Sequence, residues 1–220
     1  QDFLIPEGSL GGAANGQIVK VEITQQPTFK HQPIGKVVDV LGDHMSPGME
    51  IDIAIHSYGL PHEFPEQVLA DANRWGDSVR ENDKKGRVDL RSVPLVTIDG
   101  EDARDFDDAV YCEPAGDNRD SGWRLLVAIA EVAHYVQVNS ALDKEAYDRA
   151  TSVYFPGRVI PMLPENPSNG LCSLNPEVDR LCLVCDMKIS GQGEIDDYTF
   201  YEAVIRSHAR LSYNQVADAV

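Results

Sequence analysis

The stretch Thr97-Ile98-Asp99-Gly100-Glu101-Asp102-Ala103-Arg104-Asp105-Phe106-Asp107-Asp108-Ala109 constrains this chain more than any other. Six of the ten residues from Asp99 to Asp108 are acidic, and a single Arg sits among them. Two like charges held about 5 Å apart repel by roughly 3 kcal/mol at an effective dielectric near 20. A folded chain gathers carboxylates this closely only where solvent, cations or raised pKa values relieve the repulsion. An apolar run, Val93 to Ile98 broken by Pro94 and Thr97, leads in, and Ala109-Val110-Tyr111-Cys112 leads out. The acids are therefore expected where a buried strand ends and turns. Hard divalent cations such as Mg²⁺ take oxygen ligands, few from protein and the rest from water and phosphate. Two such ions about 4 Å apart suit in-line attack on a phosphodiester. An EF-hand loop cannot be laid on these residues, because its spaced acids, central Gly and terminal Glu do not align. Spacing alone leaves two readings open, a metal site and a solvated acidic turn.

The rest of the chain shows what such a turn could belong to. At 220 residues with 42% hydrophobic content, it can build one large or two small domains with ordinary cores. Its 36 acidic against 19 basic residues give a net charge of −17, a poor footprint for an isolated nucleic-acid binder. That balance fits a metal site, or a piece of a larger protein whose basic parts lie elsewhere. Four Cys without paired spacing read as reduced thiols of a cytoplasmic protein. Cys182-x-x-Cys185 places its thiols on opposite sides of a strand and lacks the second ligand pair that zinc needs. No run approaches a membrane span.

Residues 1–62 read as short strands, Phe3-Leu4-Ile5, Gln17 to Thr24, Ile34 to Leu41 and Met49 to His56, punctuated by Gly and Pro. Such spacing predicts a small OB-like β-barrel. Residues 63–86 read as a helix from Glu63 to Gly76 and a charged connection, with Trp75 as a core anchor. Residues 87–220 read as mixed α/β with antiparallel strands, so the fold class is α+β. Ala109 to Glu113 and Trp123 to Val132 form one hairpin, and Leu181 to Ile189 with Tyr198 to Ile205 another, around Gly191-Gln192-Gly193. Ser140 and Ser212 cap helices. Leu142, Ala146, Tyr147 and Ala150 make the expected buried stripe of the first of these. Pro161, Pro164 and Pro167 forbid regular helix between them. The loop Ser168 to Pro176 offers small polar groups suited to a sugar-phosphate track, and equally to a plain loop.

The segment Arg87 to Tyr111, which contains the acidic cluster, resembles the active-site segment of the ribonuclease II family of exoribonucleases, and most closely its bacterial ribonuclease R branch. Thr151-Ser152-Val153-Tyr154-Phe155-Pro156, Val159 to Pro164 and Ser168 to Pro176 resemble the same branch, in order, over nearly the whole chain. The resemblance implies processive, hydrolytic removal of 5′-nucleotides from an RNA 3′ end. It places the family's four catalytic, metal-holding aspartates on Asp99, Asp105, Asp107 and Asp108, around one or two Mg²⁺ ions, with Mn²⁺ able to substitute. It places the family's base-clamping tyrosine on Tyr154, whose ring would otherwise be read as core. It sets Ser168, Asn169, Ser173 and Asn175 beside the RNA path, while Arg104 either touches phosphate or offsets the acids.

The resemblance further implies a cold-shock-like domain over residues 1–62 and a monomeric cytoplasmic enzyme with no membrane association. Its partner would be single-stranded RNA with a 3′ end, including structured RNA with a 3′ overhang. Two departures are small: Glu131 stands where the family commonly has Asp, and Pro167 interrupts a usually freer segment. The family's catalytic domain runs well past residue 220, so the chain is expected to be a fragment, cut also before Gln1 and inactive alone. An RNA-binding or assembly module without turnover is the alternative.

Overall fold

The computed structural model describes residues 2–44, 46–116 and 121–219, of which 167–169 by backbone alone. The chain divides into two units, Gln1–Glu63 with Phe155–Arg158, and Phe64–Tyr154 with Val159–Val220.

In the first unit, strands β1 (Gln17–Gln25) and β2 (Ile34–Asp43) pair antiparallel from Gln17↔Asp43 to Gln25↔Ile34, with three irregularities of register. Leu4 adds a bridge to Ile34, its N–H donating to Pro33 O at 2.9 Å while Gly35 N–H donates to Leu4 O at 3.0 Å. Among the described residues this unit forms no closed barrel; its sheet is the β1–β2 pair. The segment expected as a strand from Met49 to His56 is instead helix α1 (Met49–Ser57). Its apolar letters alternate at Met49, Ile51, Ile53 and Ile55, which imitates a strand. The flanks favour the helix. Gly48, with φ 85°, turns the chain in; Glu50 and Asp52 lie in the first turn and His56 in the last, matching the helix dipole. Tyr58 N–H to Ala54 O and Leu60 N–H to Ile55 O close the end around Gly59, φ 63°. Winding a period-two pattern into a helix buries Met49 and Ile55 but leaves Ile53 exposed.

The second unit contains α2 (Glu66–Asn73), β3 (Val88–Asp89), β4 (Val96–Asp99), β5 (Asp108–Pro114), β6 (Trp123–Ala130), α3 (Val132–Tyr135) and α4 (Ala141–Arg149). The strands β7 (Val153–Phe155) and β8 (Arg158–Ile160) form a separate two-stranded sheet. Long strands β9 (Asp179–Ile189) and β10 (Ile195–Arg206), then β11 (Ala209–Ser212) and α5 (Tyr213–Ala219), complete the order. Seven strands make one mixed sheet, β11-β4-β5-β6-β9-β10-β3. Its inner pairs are antiparallel, and its outer pairs, β11 with β4 and β10 with β3, are parallel. The chain is thus mixed α+β. The β5–β6 and β9–β10 hairpins stand where the turn chemistry placed them.

Strand periodicity divides this sheet into two faces. Ala109, Leu126, Ala128, Cys182, Val184 and Ala203 point into the main core with Leu95, Phe106 and Leu174. On the other face Leu181 and Val204 are covered by Tyr135, Leu171, Cys172 and Trp75. Further along that face, Trp123, Ile129, Leu183, Tyr198 and Phe200 remain exposed. Trp75 acts as the anchor its position suggested, its Nε1 donating to Tyr135 O at 2.9 Å.

Helix α4 starts at Ser140, whose Oγ accepts Asp143 N–H at 3.1 Å while Asp143 Oδ2 accepts Asn139 N–H at 2.7 Å. Its buried stripe differs from the one expected: Tyr147 is 85% exposed, Ala150 lies outside, and Arg149 is buried. Leu142, Ala146 and Arg149 sit at i, i+4 and i+7, whereas Tyr147 at i+5 is turned about 140° away. Arg149 is tolerated because Glu145 accepts from its Nε at 2.8 Å and its guanidinium lies 3.7 Å from the Phe64 ring centroid. The Pro-rich region admits no α-helix, but Asn166–Leu171 winds as a π-helical turn. No helix among the described residues is long and apolar enough to cross a membrane.

Candidate active site

Asp99 is the last residue of β4 and Asp108 the first of β5, so the antiparallel strands bring both to one end of the sheet. A single register pair joins these strands, Val96↔Val110. Beyond it they part, and residues 100–107 cross the opening. On its other side β4 is held by β11 in four parallel pairs, from Ala209↔Val96 to Ser212↔Asp99.

The loop is fixed at its centre. Phe106 is buried in the main core, and its N–H donates to Ser173 Oγ at 3.0 Å while its carbonyl accepts Leu174 N–H at 2.8 Å. The Arg210 guanidinium lies 4.4 Å from its ring centroid and donates to the carbonyls of Glu101 and Ala103 at 3.2 and 2.8 Å. Asp107 O accepts Ala130 N–H at 2.8 Å, which carries the loop onto β6. An anchored apolar residue between two acids has a simple effect. With Phe106 directed inward, Asp107 beside it is exposed and Asp105 is partly buried.

The electrostatics agree with this crowding. The Asp107 carboxyl is pushed above the ordinary carboxylate range, first by desolvation against the surrounding protein and then by the charges of Asp105, Asp108 and Asp99. Asp107 thus feels the charge of each of the other three aspartates. Asp99 is partly buried, and its Oδ1 accepts the Gly100 N–H at 2.6 Å. Glu101 is exposed and accepts from Asn214 Nδ2 at 3.0 Å, away from the four. Arg104 is also exposed.

The remaining expected site residues are placed differently. Tyr154 stands on β7 with its side chain 69% exposed, a ring presented to solvent. Ser173 is fully buried: its hydroxyl accepts from Phe106, and its carbonyl accepts Arg180 Nε–H at 2.8 Å. From there it reaches a substrate only through the loop it holds. Asn175 is partly buried, its N–H donating to Ser173 O at 2.8 Å. The side chains of Ser168 and Asn169 lie outside the described residues. Sequence reasoning missed Arg210 and the anchoring role of Phe106, since each acts through partners distant in sequence, and missed Arg180, whose bonds go to backbone carbonyls that no sequence pattern marks. Glu131, the departure from the family pattern, forms a two-pronged pair with Arg87, whose side chain is buried.

Four carboxylates with mutual repulsion and no ion pair among them are the donor chemistry that suits a hard divalent cation. Among the described residues, no three His, Cys, Asp or Glu side chains already stand in a formed metal-binding arrangement. The donors fit such an ion in kind; the cluster is an open set of acids.

A mixed seven-stranded sheet with acids at the β4–β5 opening defines a class of protein. The RNB domain family matches residues 87–220 and the cold shock domain family residues 1–65. The chain belongs to the RNB-domain family. Within it, the chain is similar to ribonuclease R of Vibrio parahaemolyticus, 57% identical over 217 residues, covering 99% of this chain and 26% of the relative. Ribonuclease R of Escherichia coli strain K12 is 56% identical over 215 residues, covering 98% of this chain and 26% of that protein. The chain thus spans about a quarter of the length of these relatives. Among solved structures, Mycoplasma genitalium RNase R in complex with double-stranded RNA superposes with a TM-score of 0.90 at 34% identity, covering 99% of this chain and 38% of that one.

Proposed function

We propose that this chain carries the aspartate cluster of a 3′-to-5′ hydrolytic exoribonuclease that shortens RNA processively and releases 5′-nucleotides. The observation that carries the proposal is the buried Phe106 anchor. It pins the backbone between Asp105 and Asp107 at the opening where Asp99 ends β4 and Asp108 begins β5. Asp99, Asp105, Asp107 and Asp108 would hold one or two Mg²⁺ ions, or Mn²⁺ in their place. When bound, such ions supply an activated water and charge neutralisation at the scissile phosphate.

The chain's own residues do the rest. The loop clamped by Ser173, Leu174 and Arg210 keeps the acids from collapsing onto the sheet. Tyr154 offers a face on which a terminal base can stack. Arg104 is an exposed cation placed to meet phosphate, and Asn175, with Ser168 and Asn169, borders the RNA track. The first unit is an OB-like, cold-shock-type domain that guides single-stranded RNA or the 3′ overhang of a structured one. The whole enzyme acts as a monomer in the cytoplasm.

The test is Asp107→Asn in the full-length protein. It keeps the shape and removes one charge. Hydrolysis of 5′-labelled RNA, followed as a ladder with Mg²⁺, should fall by about 10³-fold or more. RNA binding should stay within about twofold, a factor worth roughly 0.4 kcal/mol. Near-normal turnover would remove the aspartates from the mechanism. A wild-type protein that binds RNA and never shortens it would establish instead an RNA-binding or assembly module.

A further inference from the structure

Arg180 is a buried cation that the proposed chemistry does not use. It opens the second position of β9, is 6% exposed, and among the described residues forms no ion pair with a carboxylate. Its neighbour Asp179 does not neutralise it by contact, because that carboxylate is taken by Lys84 at 2.7 Å, Arg206 at 2.8 Å and Arg91 at 3.3 Å. Arg180 gives its hydrogens to carbonyls instead, Nε to Ser173 O at 2.8 Å and Nη1 to Asp179 O at 2.9 Å. A guanidinium committed to burial without a carboxylate in contact is costly, and burial lowers its pKa against the opposing pull of the Asp179 charge. Cheaper residues could fill the space if filling it were the only task.

The hydrogen bonds give Arg180 another task. Ser173 accepts from Arg180 with its carbonyl and from Phe106 N–H with its hydroxyl, and Leu174 N–H returns to Phe106 O. Ser173 is itself fully buried, so water cannot replace either partner. The chain of contacts therefore runs from a guanidinium on the sheet, through one serine, to the backbone between Asp105 and Asp107. Cys172, next to Ser173 and buried, feels the charges of both Asp107 and Arg180.

We infer that Arg180 is a positioning residue: through Ser173 it fixes the backbone of Phe106, and so the spacing at which Asp105 and Asp107 can share a divalent cation. The inference rests on the aspartate reading above, and assigns to the cluster a rigid backing that its own sequence does not contain. A residue acting this way sets how tightly the acids hold a metal and leaves RNA binding largely alone.

The experiment uses the full-length protein with three substitutions, Ser173→Ala, Arg180→Met and Arg180→Lys, beside Asp107→Asn. Ser173→Ala removes the hydroxyl that accepts from Phe106 and keeps the carbonyl. Mn²⁺ binding is read by the loss of the free-ion electron paramagnetic resonance signal, without RNA. The Mg²⁺ dependence of single-turnover cleavage and the RNA Kd in EDTA are measured alongside, and Tm reports folding. Ser173→Ala and Arg180→Met should each weaken Mn²⁺ binding and raise the half-saturating Mg²⁺ by about tenfold, a change of about 1.4 kcal/mol. RNA Kd should stay within about twofold in both. Arg180→Lys, which keeps a donor to Ser173 O, should recover part of the metal affinity. If Arg180→Met does not fold, Ser173→Ala decides alone. Unchanged metal binding in a folded Ser173→Ala protein overturns the inference, and so does a rate loss that follows Tm with no shift in metal dependence. Asp107→Asn separates the two levels. If it is inactive while Ser173→Ala binds metal normally, only the role of Arg180 and Ser173 fails. If it keeps turnover, the aspartate reading fails as well.

Discussion

Asp107 is held where its ionisation is disfavoured. Its pKa in the folded protein lies above the ordinary 3.8, so the folded state resists losing this proton more than the unfolded chain does. The destabilisation begins as pH rises through 3.8 and is complete above the raised value. Asp107→Asn should therefore raise Tm of the metal-free protein at pH 7, with the gain disappearing in acid below the ordinary carboxylate range. Melting curves at the two pH values measure this, and an equal Tm difference in both would mean that charge is not the cause. A gain in stability paired with a loss of turnover marks a group kept for chemistry. Tyr154 gives the complementary case. Its exposed ring can be removed without touching a core, so Tyr154→Ala should leave Tm nearly unchanged while weakening binding of an RNA 3′ end by about 1–3 kcal/mol. Tyr154→Phe should bind nearly normally, because stacking needs the ring alone. Equal unfolding by both changes would make Tyr154 a core residue. Six carboxylates in ten residues mark the stretch in the sequence, but spacing alone leaves a metal site and a solvated turn equally open, and the choice of Asp99, Asp105, Asp107 and Asp108 comes from the family resemblance. The anchoring place of Ser173 was not legible, because the hydrogen bond that defines it joins residues 67 positions apart.

Among the elements, caps and turns were legible, and helix α1 and the single turn α3 were not. Ser212 illustrates the readable kind: its Oγ accepts Gln215 N–H at 3.2 Å and Gln215 Oε1 accepts Ser212 N–H at 2.8 Å, a capping box written in four adjacent residues. Helix α1 shows the other kind, since four alternating apolar residues satisfy a strand template and only the flanking Gly48 and Gly59 argue otherwise. In α4 the spacing of Leu142, Ala146, Tyr147 and Ala150 reads as an apolar stripe, whereas the helical angle puts Arg149 inside, with Glu145 and Phe64 to receive it. Some constraints are visible only once strands are paired. Gly122, φ 77°, precedes β6 so closely against β9 that a Cβ there would lie 2.0 Å from the Ile189 carbonyl oxygen. Neither backbone can yield without loosening the Trp123↔Ile189 pair. Gly122→Ala should cost about 2–4 kcal/mol, read as a lower urea midpoint at constant m-value. A loss under about 0.5 kcal/mol would show that this end of the sheet is free to shift.

At the scale of the whole molecule, the large sheet is covered on one face and open over much of the other. Trp123, Ile129, Leu183 and Phe200 are 41%, 46%, 45% and 60% exposed on neighbouring strands, a contiguous apolar surface of the sort that seeks a partner. The 220-residue chain by itself should associate as its concentration rises, and light scattering should show the double change Leu183→Lys, Phe200→Lys reducing that association. The same isolated chain, at net charge −17, repels an RNA backbone and should show no processive shortening with Mg²⁺. Sustained digestion that Asp107→Asn abolishes would contradict this. The order of synthesis adds a last consequence. Strand β4, which ends in Asp99, meets β5 at one pair and β11 at four, so most of its lateral support is made over a hundred residues after it. At roughly 5–20 residues per second, a ribosome needs several seconds or more to cover that distance. Until Ser212 is free to pair with Asp99, β4 rests on its single pair with β5, so the firmest lateral support beneath Asp99 is added long after the acids themselves have been made.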